Sequence, residues 1–205
     1  MTQVKHVLGI SGGKDSAALA IYLKDRYPDL PIDYYTCDTG KELDETYQLV
    51  DNLEVYLGQS ITKLKAAENS PEAPFDHFLQ TYGGYLPSAI SRWCTKKLKL
   101  EPFEQFIAGE QPVISYVGIR GDENREGYIS KKSNIQSIFP FRKNIWSEDV
   151  VQKVLSNAKI PFLKKLYEEY ARDRDKLSRM LEVVEEPLSA HFSQERKLDM
   201  LLDLS

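Results

Sequence analysis

One short stretch near the N-terminus limits the folds open to this chain more than any other. The apolar run Val7 to Ile10 leads straight into Ser11-Gly12-Gly13-Lys14-Asp15-Ser16, and then into apolar residues at helical spacing, Ala17, Leu19, Ala20, Ile21 and Leu23. The order is strand, tight glycine turn, helix. Such a turn aims several backbone N–H groups and the positive end of a helix dipole at one point, where an anion binds. Gly12 and Gly13 let the backbone turn sharply and approach an anion with no Cβ in the way. Lys14 adds a mobile positive charge. The hydroxyls of Ser11 and Ser16 can donate to phosphate oxygens, and Asp15 can help hold a hydrated Mg²⁺. The spacing is not that of a Walker A loop. The alternative is an ordinary glycine turn before an amphipathic helix, but the Ser, Lys, Asp and Ser residues around the glycines all suit phosphate or metal chemistry.

The remaining periodicity extends this start into a parallel α/β pattern. Strands are expected over Val4–Ile10, Ile32–Cys37, Ile61–Leu64, Val113–Gly118 and within Ile135–Phe141. Helices are expected from the loop to about Arg26, over Leu43–Leu57, over Phe75–Tyr82 and around Arg92–Lys99. Strand, helix, strand at this spacing makes a right-handed parallel crossover. Ligands in open α/β sheets sit outside the carboxyl ends of the strands. That edge therefore receives the glycine loop, Asp38-Thr39-Gly40 after the second strand, and the charged cluster Arg120, Asp122, Glu123 and Arg125 after the fourth. Asp38 also reads as the start of a plain turn, and Asp44 and Glu45 as acids at a helix start. Asp122 and Glu123 suit either Mg²⁺ or the positioning of the two arginines, whose guanidinium groups bind phosphate or sulfate oxygens bidentately. Gly83, Gly84 and Pro87 fit either a substrate lid or a plain surface loop.

A second informative stretch is Arg92-Trp93-Cys94-Thr95-Lys96-Lys97-Leu98-Lys99. On a helix, Arg92, Lys96 and Lys99 fall roughly on one face and Cys94 turns away from them. Positive charge lowers a thiol pKa and recruits anions; a solvated basic face with a small core cysteine is the alternative. Ser147 reads as an N-cap followed by acids, with Val150, Val151, Val154 and Leu155 as the apolar face of a helix, a structural role rather than a chemical one. Beyond Pro161 the chain becomes highly charged with periodic Leu, Tyr and Met. It reads as helices over Lys164–Glu186 and Phe192–Leu204, suited to capping the sheet, to a homodimer or to a partner surface.

Composition sets the outer bounds. The 205-residue length suggests one α/β domain, residues 1–160, with a helical extension over 161–205. A net charge of −4 argues against broad, unspecific nucleic-acid binding but leaves room for a local basic patch. The two cysteines, Cys37 and Cys94, lie far apart with no secretory-type segment before them, which predicts a reduced cytoplasmic protein. No apolar stretch is long enough to span a membrane. Two cysteines and three histidines cannot build a Cys₄ zinc or iron–sulfur site in one chain, so neither cofactor is expected.

Five motifs resemble one family. Ser11–Ser16 resembles the S-G-G-x-D-S loop of the PP-loop ATP pyrophosphatases, which holds the pyrophosphate end of ATP while the α–β bond is cleaved. Asp38-Thr39-Gly40 with Glu45-Thr46 is similar to the D-T-G-x-x-x-x-E-T segment of the phosphoadenylylsulfate (PAPS) reductase branch. Cys94 to Pro102 resembles the C-T-x-x-L-K-x-x-P segment of that branch, most closely in proteins of bacterial DNA phosphorothioation systems. Gly118-Ile119-Arg120 with Asp122-Glu123, and Trp146-Ser147 with Asp149-Val150, resemble two further segments of the branch. The fold implied is an adenine nucleotide alpha-hydrolase-like, Rossmann-like parallel sheet of about five strands with helices on both faces.

The resemblance also implies roles. ATP would lie on Ile10, Ser11, Gly12, Gly13, Lys14, Asp15 and Ser16, and on Cys37, Asp38, Thr39 and Gly40. Asp15 and Asp38 would serve Mg²⁺. Arg92, Lys96, Lys99, Arg120 and Arg125 would hold acceptor phosphates, with Lys14, Asp15, Cys94 and Arg120 as the catalytic set. Many relatives carry a late G-C-x-x-C segment or a terminal cysteine with a nearby histidine; here the region reads Tyr167-Glu168-Glu169-Tyr170-Ala171-Arg172, without cysteine. Three readings follow. One is an ATP pyrophosphatase that adenylates a DNA backbone phosphate for sulfur delivered by a cysteine desulfurase. The others are a reductase of adenylylated sulfate using Cys94, and a non-catalytic ATP-binding subunit.

Overall fold

The structure is a computed structural model that describes residues 4–159 apart from 110, 125, 128, 129, 131, 144 and 145. Within them the chain alternates as the periodicity predicts. Strand β1 spans Lys5–Gly9, helix α1 Lys14–Arg26, β2 Ile32–Asp38, α2 Asp44–Leu57, β3 Thr62–Lys65 and α3 Pro74–Thr81. A π-helical segment, Thr95–Leu100, runs into α4, Glu101–Phe106. Then come β4, Val113–Tyr116, β5, Ile135–Ile138, the short helix α5, Pro140–Lys143, and α6, Glu148–Asn157. The expected C-terminal helices over 164–204, the extension 161–205 and the site residue Arg125 lie outside the described residues.

The five strands form one sheet in the order β3-β2-β1-β4-β5. The pairings of β1 with β2, β1 with β4 and β4 with β5 are all parallel. The expected parallel α/β fold is thus the observed one. From β1 the chain builds the sheet outward through β2 and β3, then returns to the other side of β1 for β4 and β5. The reversal falls between β1 and β4, and in such sheets the crevice at that point is where ligands bind.

The described residues form two compact units. The first comprises residues 4–37, 44–63 and 107–159. Its core holds Val7 and Leu8 of β1, which are fully buried, as the uninterrupted apolar run requires. Helix α1 buries Ser16 through Ile21 together with Leu23. Its alanines remove side-chain bulk, which lets α1 pack against both β1 and α6. Helix α2 buries Leu49, Val50, Leu53 and Leu57, the stripe expected of an amphipathic helix. Val151 and Leu155 of α6 are fully buried. Val150, expected on the apolar face, is instead more than a third exposed, because it leads that stripe by one position.

The second unit comprises residues 38–43 and 64–106. Trp93 is central to its core. It is almost fully buried among Ala66, Phe75, Leu79, Leu86 and Leu98. Its ring lies 5.3 Å from that of Phe75 and stacks on Tyr82, and its indole N–H donates to the Tyr85 carbonyl at 3.0 Å. The Gly83-Gly84 pair, open between lid and loop in the sequence, terminates α3: the Gly84 amide donates to the Leu79 carbonyl and the Gly83 amide to that of Gln80, both at 2.8 Å. This is the double hydrogen bond of a Schellman stop.

Candidate functional site

The glycine loop closes on itself before it can close on a ligand. The Ser16 hydroxyl donates to the Gly13 carbonyl at 3.0 Å and accepts the Ser11 amide at 3.1 Å. The Ser11 and Ser16 hydroxyl oxygens lie 3.2 Å apart. A hydroxyl has one proton to give. In this state that of Ser16 goes to the Gly13 carbonyl and helps shape the loop. Ser11 is exposed and keeps the expected access to a ligand. Gly13 takes the N-cap of α1 with no side-chain cap, and an α-helix leaves its first-turn N–H groups, here of Lys14, Asp15 and Ser16, without intrahelical acceptors. Ile10 is buried, and its amide extends the sheet by donating to the Tyr35 carbonyl at 2.7 Å.

Two glycines fix the loop against its surroundings. Gly12 has φ +78°, and a Cβ there would lie 2.5 Å from Cγ2 of Thr46, a buried residue of α2. The glycine loop and the Glu45-Thr46 motif therefore meet through one tight contact. Gly118, just past β4, has a backbone that any residue adopts, but a Cβ on it would lie 2.8 Å from the Asp15 carbonyl oxygen. The turn after β4 thus runs backbone to backbone against the first turn of α1, and that approach delivers Arg120.

Arg120 is the centre of the site. Its Nη1 donates to both carboxylate oxygens of Asp15, at 2.9 and 3.0 Å, and its Nε donates to Asp122 at 2.8 Å. Glu123 lies 3.3 Å and Glu148 3.7 Å from the same guanidinium. Lys14 pairs with Glu148 at 3.8 Å. Burial works against the charge of Arg120, but the hydrogen bonds to Asp15 and Asp122 outweigh it and raise its pKa further above the guanidinium range. The hydrogen bond from Arg120 is likewise the main cause holding the Asp122 carboxyl below its usual range. Asp122 also accepts the Glu148 amide at 3.3 Å, at the start of α6. Ser147 occupies the expected N-cap position but makes no capping bond through its side chain; Asp122 supplies an acceptor from a distant loop instead.

The sequence therefore picked out Lys14, Asp15 and Arg120, which the structure brings together, but gave Glu148 only a helix-start role. Its signal was an acid at the start of a helix inside a family motif. Asp122 and Glu123 take the second of their two expected roles, positioning arginine.

The other expected site residues belong to the second unit, apart from Cys37. Cys37 is half-buried in β2, one residue before Asp38. Asp38 accepts the Gly40 amide at 2.9 Å and pairs with Lys65 at 3.4 Å. Thr39 donates through its hydroxyl to Glu42 at 2.8 Å. The segment thus forms a turn held by its own side chains. Asp15 is likewise bound through both oxygens by Arg120. Among the described residues no cluster of three or more His, Cys, Asp or Glu side chains is placed to hold a metal.

The basic stretch departs from expectation. Thr95–Leu100 is a π-helix, and Arg92 precedes the helical residues. Ahead of it the Lys96 amide donates to the Arg92 carbonyl at 3.2 Å, an i→i−4 turn, and the i→i+5 hydrogen bonds that follow put more residues in each turn up to Lys99. All three are exposed. Lys97, between them, pairs with Glu101 at 2.9 Å. Cys94 is half-buried and packs on the core around Trp93, in keeping with the small-core-residue reading. No helix among the described residues is long and apolar enough to cross a membrane.

Sheet order, a glycine loop after the first strand and an arginine delivered at the switch point define an α/β protein with its candidate site at the strand ends. The chain belongs to the phosphoadenosine phosphosulfate reductase domain family, whose model matches residues 5–172. It is 36% identical over 175 residues to an uncharacterized protein of Methanocaldococcus jannaschii, covering 79% of this chain and 33% of that one. It is 26% identical over 160 residues to the adenosine 5'-phosphosulfate reductase of Allochromatium vinosum, covering 74% and 58%. The chain thus spans between a third and three fifths of these curated relatives. Among solved structures, phosphoadenylyl-sulfate (PAPS) reductase from Candida auris, in a phosphate complex, matches with a TM-score of 0.60 at 18% identity, over 81% of this chain and 78% of that one. At that identity the likeness establishes the fold.

Proposed function

We propose that this chain is an ATP pyrophosphatase that cleaves ATP to AMP and pyrophosphate, adenylating an acceptor that sulfur then enters. The observation that carries the reading is the convergence of Lys14, the first turn of α1 and Arg120 at the reversal of sheet order. The amides of the first turn and Lys14 would take the β- and γ-phosphates, with Ser11 at their edge. Arg120 would release part of its carboxylate shell and turn one edge of its guanidinium to the phosphate chain. Positioning and charge neutralisation would supply the catalysis, with no covalent intermediate on the protein. Magnesium would enter as MgATP and belong to the substrate. The acceptor we propose is a DNA backbone phosphate and the sulfur donor a cysteine desulfurase, on the likeness of Cys94–Pro102 to phosphorothioation proteins.

ATP turnover with Mg²⁺, resolved into AMP plus pyrophosphate against ADP plus phosphate, tests this. AMP and pyrophosphate are expected, lost in Lys14→Ala and on chelation of Mg²⁺. ADP formation would overturn the assignment.

Two relatives, an adenosine 5'-phosphosulfate reductase and a PAPS reductase, favour a second reading, a PAPS or adenylylsulfate reductase. Here the Cys94 thiolate would attack sulfur and expel the nucleotide, and an external thiol would then release sulfite. The half-buried packing of Cys94 does not favour it. Sulfite formed from PAPS and abolished by Cys94→Ser would establish it.

A further inference from the structure

We infer that Glu148 is a built-in stand-in for phosphate: it holds the cations of the anion site in the ligand-free state, and an incoming phosphate must displace it. The inference rests on the proposed use of this site for nucleotide phosphates. Lys14 belongs to the first turn of α1, and its side chain is only 16% exposed, so its ammonium is drawn out of bulk water. The carboxylate facing it, at 3.8 Å, is Glu148. The same carboxylate reaches Arg120 with its other oxygen, at 3.7 Å. One acid thus spans the two cations assigned to phosphate. Gln152 steadies it, donating to Oε1 at 3.2 Å, and Asp122 anchors its backbone amide.

The distances give the direction of the effect. Both contacts exceed hydrogen-bond length, whereas Arg120 meets Asp15 and Asp122 at 2.8–3.0 Å. Of the four acids around Arg120, Glu148 makes the longest contact, and that contact is the first that a better anion would replace. A phosphate oxygen that takes Lys14 must break that contact and send the Glu148 carboxylate towards solvent, to which it is already a quarter exposed. Glu148 thereby sets a threshold. It weakens anion binding by the free energy of the contact it gives up, and it keeps Lys14 aimed at the site while the site is empty.

Titration calorimetry with inorganic pyrophosphate, without divalent metal, tests this on the full chain. Four proteins are compared: wild type, Lys14→Ala, Glu148→Gln and Glu148→Asp. Glu148→Gln removes the charge. Glu148→Asp keeps it but is too short to span a distance that is already 3.8 Å. Both are expected to bind pyrophosphate roughly two- to fivefold more tightly than wild type, the scale of one partly exposed ion pair. Tightening by Gln alone would mean that Glu148 acts only through its field, and unchanged or weaker binding in both variants would mean that it merely positions Lys14. Either result overturns the inference while the phosphate site stands. Equal binding by wild type and Lys14→Ala, or none by wild type or either Glu148 variant, would instead remove the phosphate site itself, and this inference with it. A common thermal transition by circular dichroism shows that the variants are folded.

Discussion

Gly12 carries the shape of the anion loop in two separate ways. Its φ of +78° is a conformation that side chains with a Cβ resist, and a Cβ would also collide with Thr46. Gly12→Ala is therefore expected to destabilise the chain by about 1–3 kcal/mol in urea melts and to abolish nucleotide binding. Adding Thr46→Ser removes the colliding methyl and should recover part of the stability but not the binding, since the backbone strain remains. Arg120 answers to a different logic, because it balances several carboxylates at once. Arg120→Met leaves them facing one another and should cost about 1–3 kcal/mol, less than a fully buried network because water still reaches some of them. Among these acids Asp122 has its carboxyl held low by Arg120. Its contribution is therefore present above the ordinary carboxylate value of about 3.9 and fades as pH falls through its lower folded value. The stability gap between wild type and Asp122→Asn, measured by urea titration across pH, should close in acid and stay open from pH 5 to 8.

At the scale of elements, β1 was legible from the apolar run Val7 to Ile10, and the other strands from shorter apolar or alternating segments such as Val113 to Tyr116. The helices α1, α2 and α6 were legible from their 3.6-residue stripe. The π-helix at Thr95–Leu100 was not, since its sequence carries the same residue types as an α-helix. That core makes Trp93→Ala the most damaging single change expected in the second unit, about 3–5 kcal/mol in chemical melts. Strand β2 offers an alkaline counterpart to Asp122. Burial pushes the Tyr34 phenol up to about 12. Its stabilising effect is full below the unfolded value near 10 and is lost as pH rises through about 12, because the unfolded chain ionises first. Tyr34→Phe should flatten the loss of stability seen above pH 10.

For the whole molecule, a parallel sheet of about five strands followed from the alternation of elements and one glycine loop, but the strand order did not. Nor did the ionic partners within the candidate site, because Lys14, Arg120 and Glu148 lie far apart in sequence and only the folded sheet brings them together. Asp38 was legible as the residue after the second strand, but its pairing with Lys65 was not, since the two lie far apart in sequence.

The packing of the two indoles has a spectroscopic consequence. The chain has two tryptophans. Trp93 is enclosed in the core of the second unit, while Trp146, in the first, stacks on Phe141 with centroids 4.2 Å apart. Each unit therefore contains its own fluorophore. Replacing either indole by phenylalanine leaves emission from one unit alone. The Trp146→Phe and Trp93→Phe chains would then show, by fluorescence during denaturation, whether the two units melt together or one before the other.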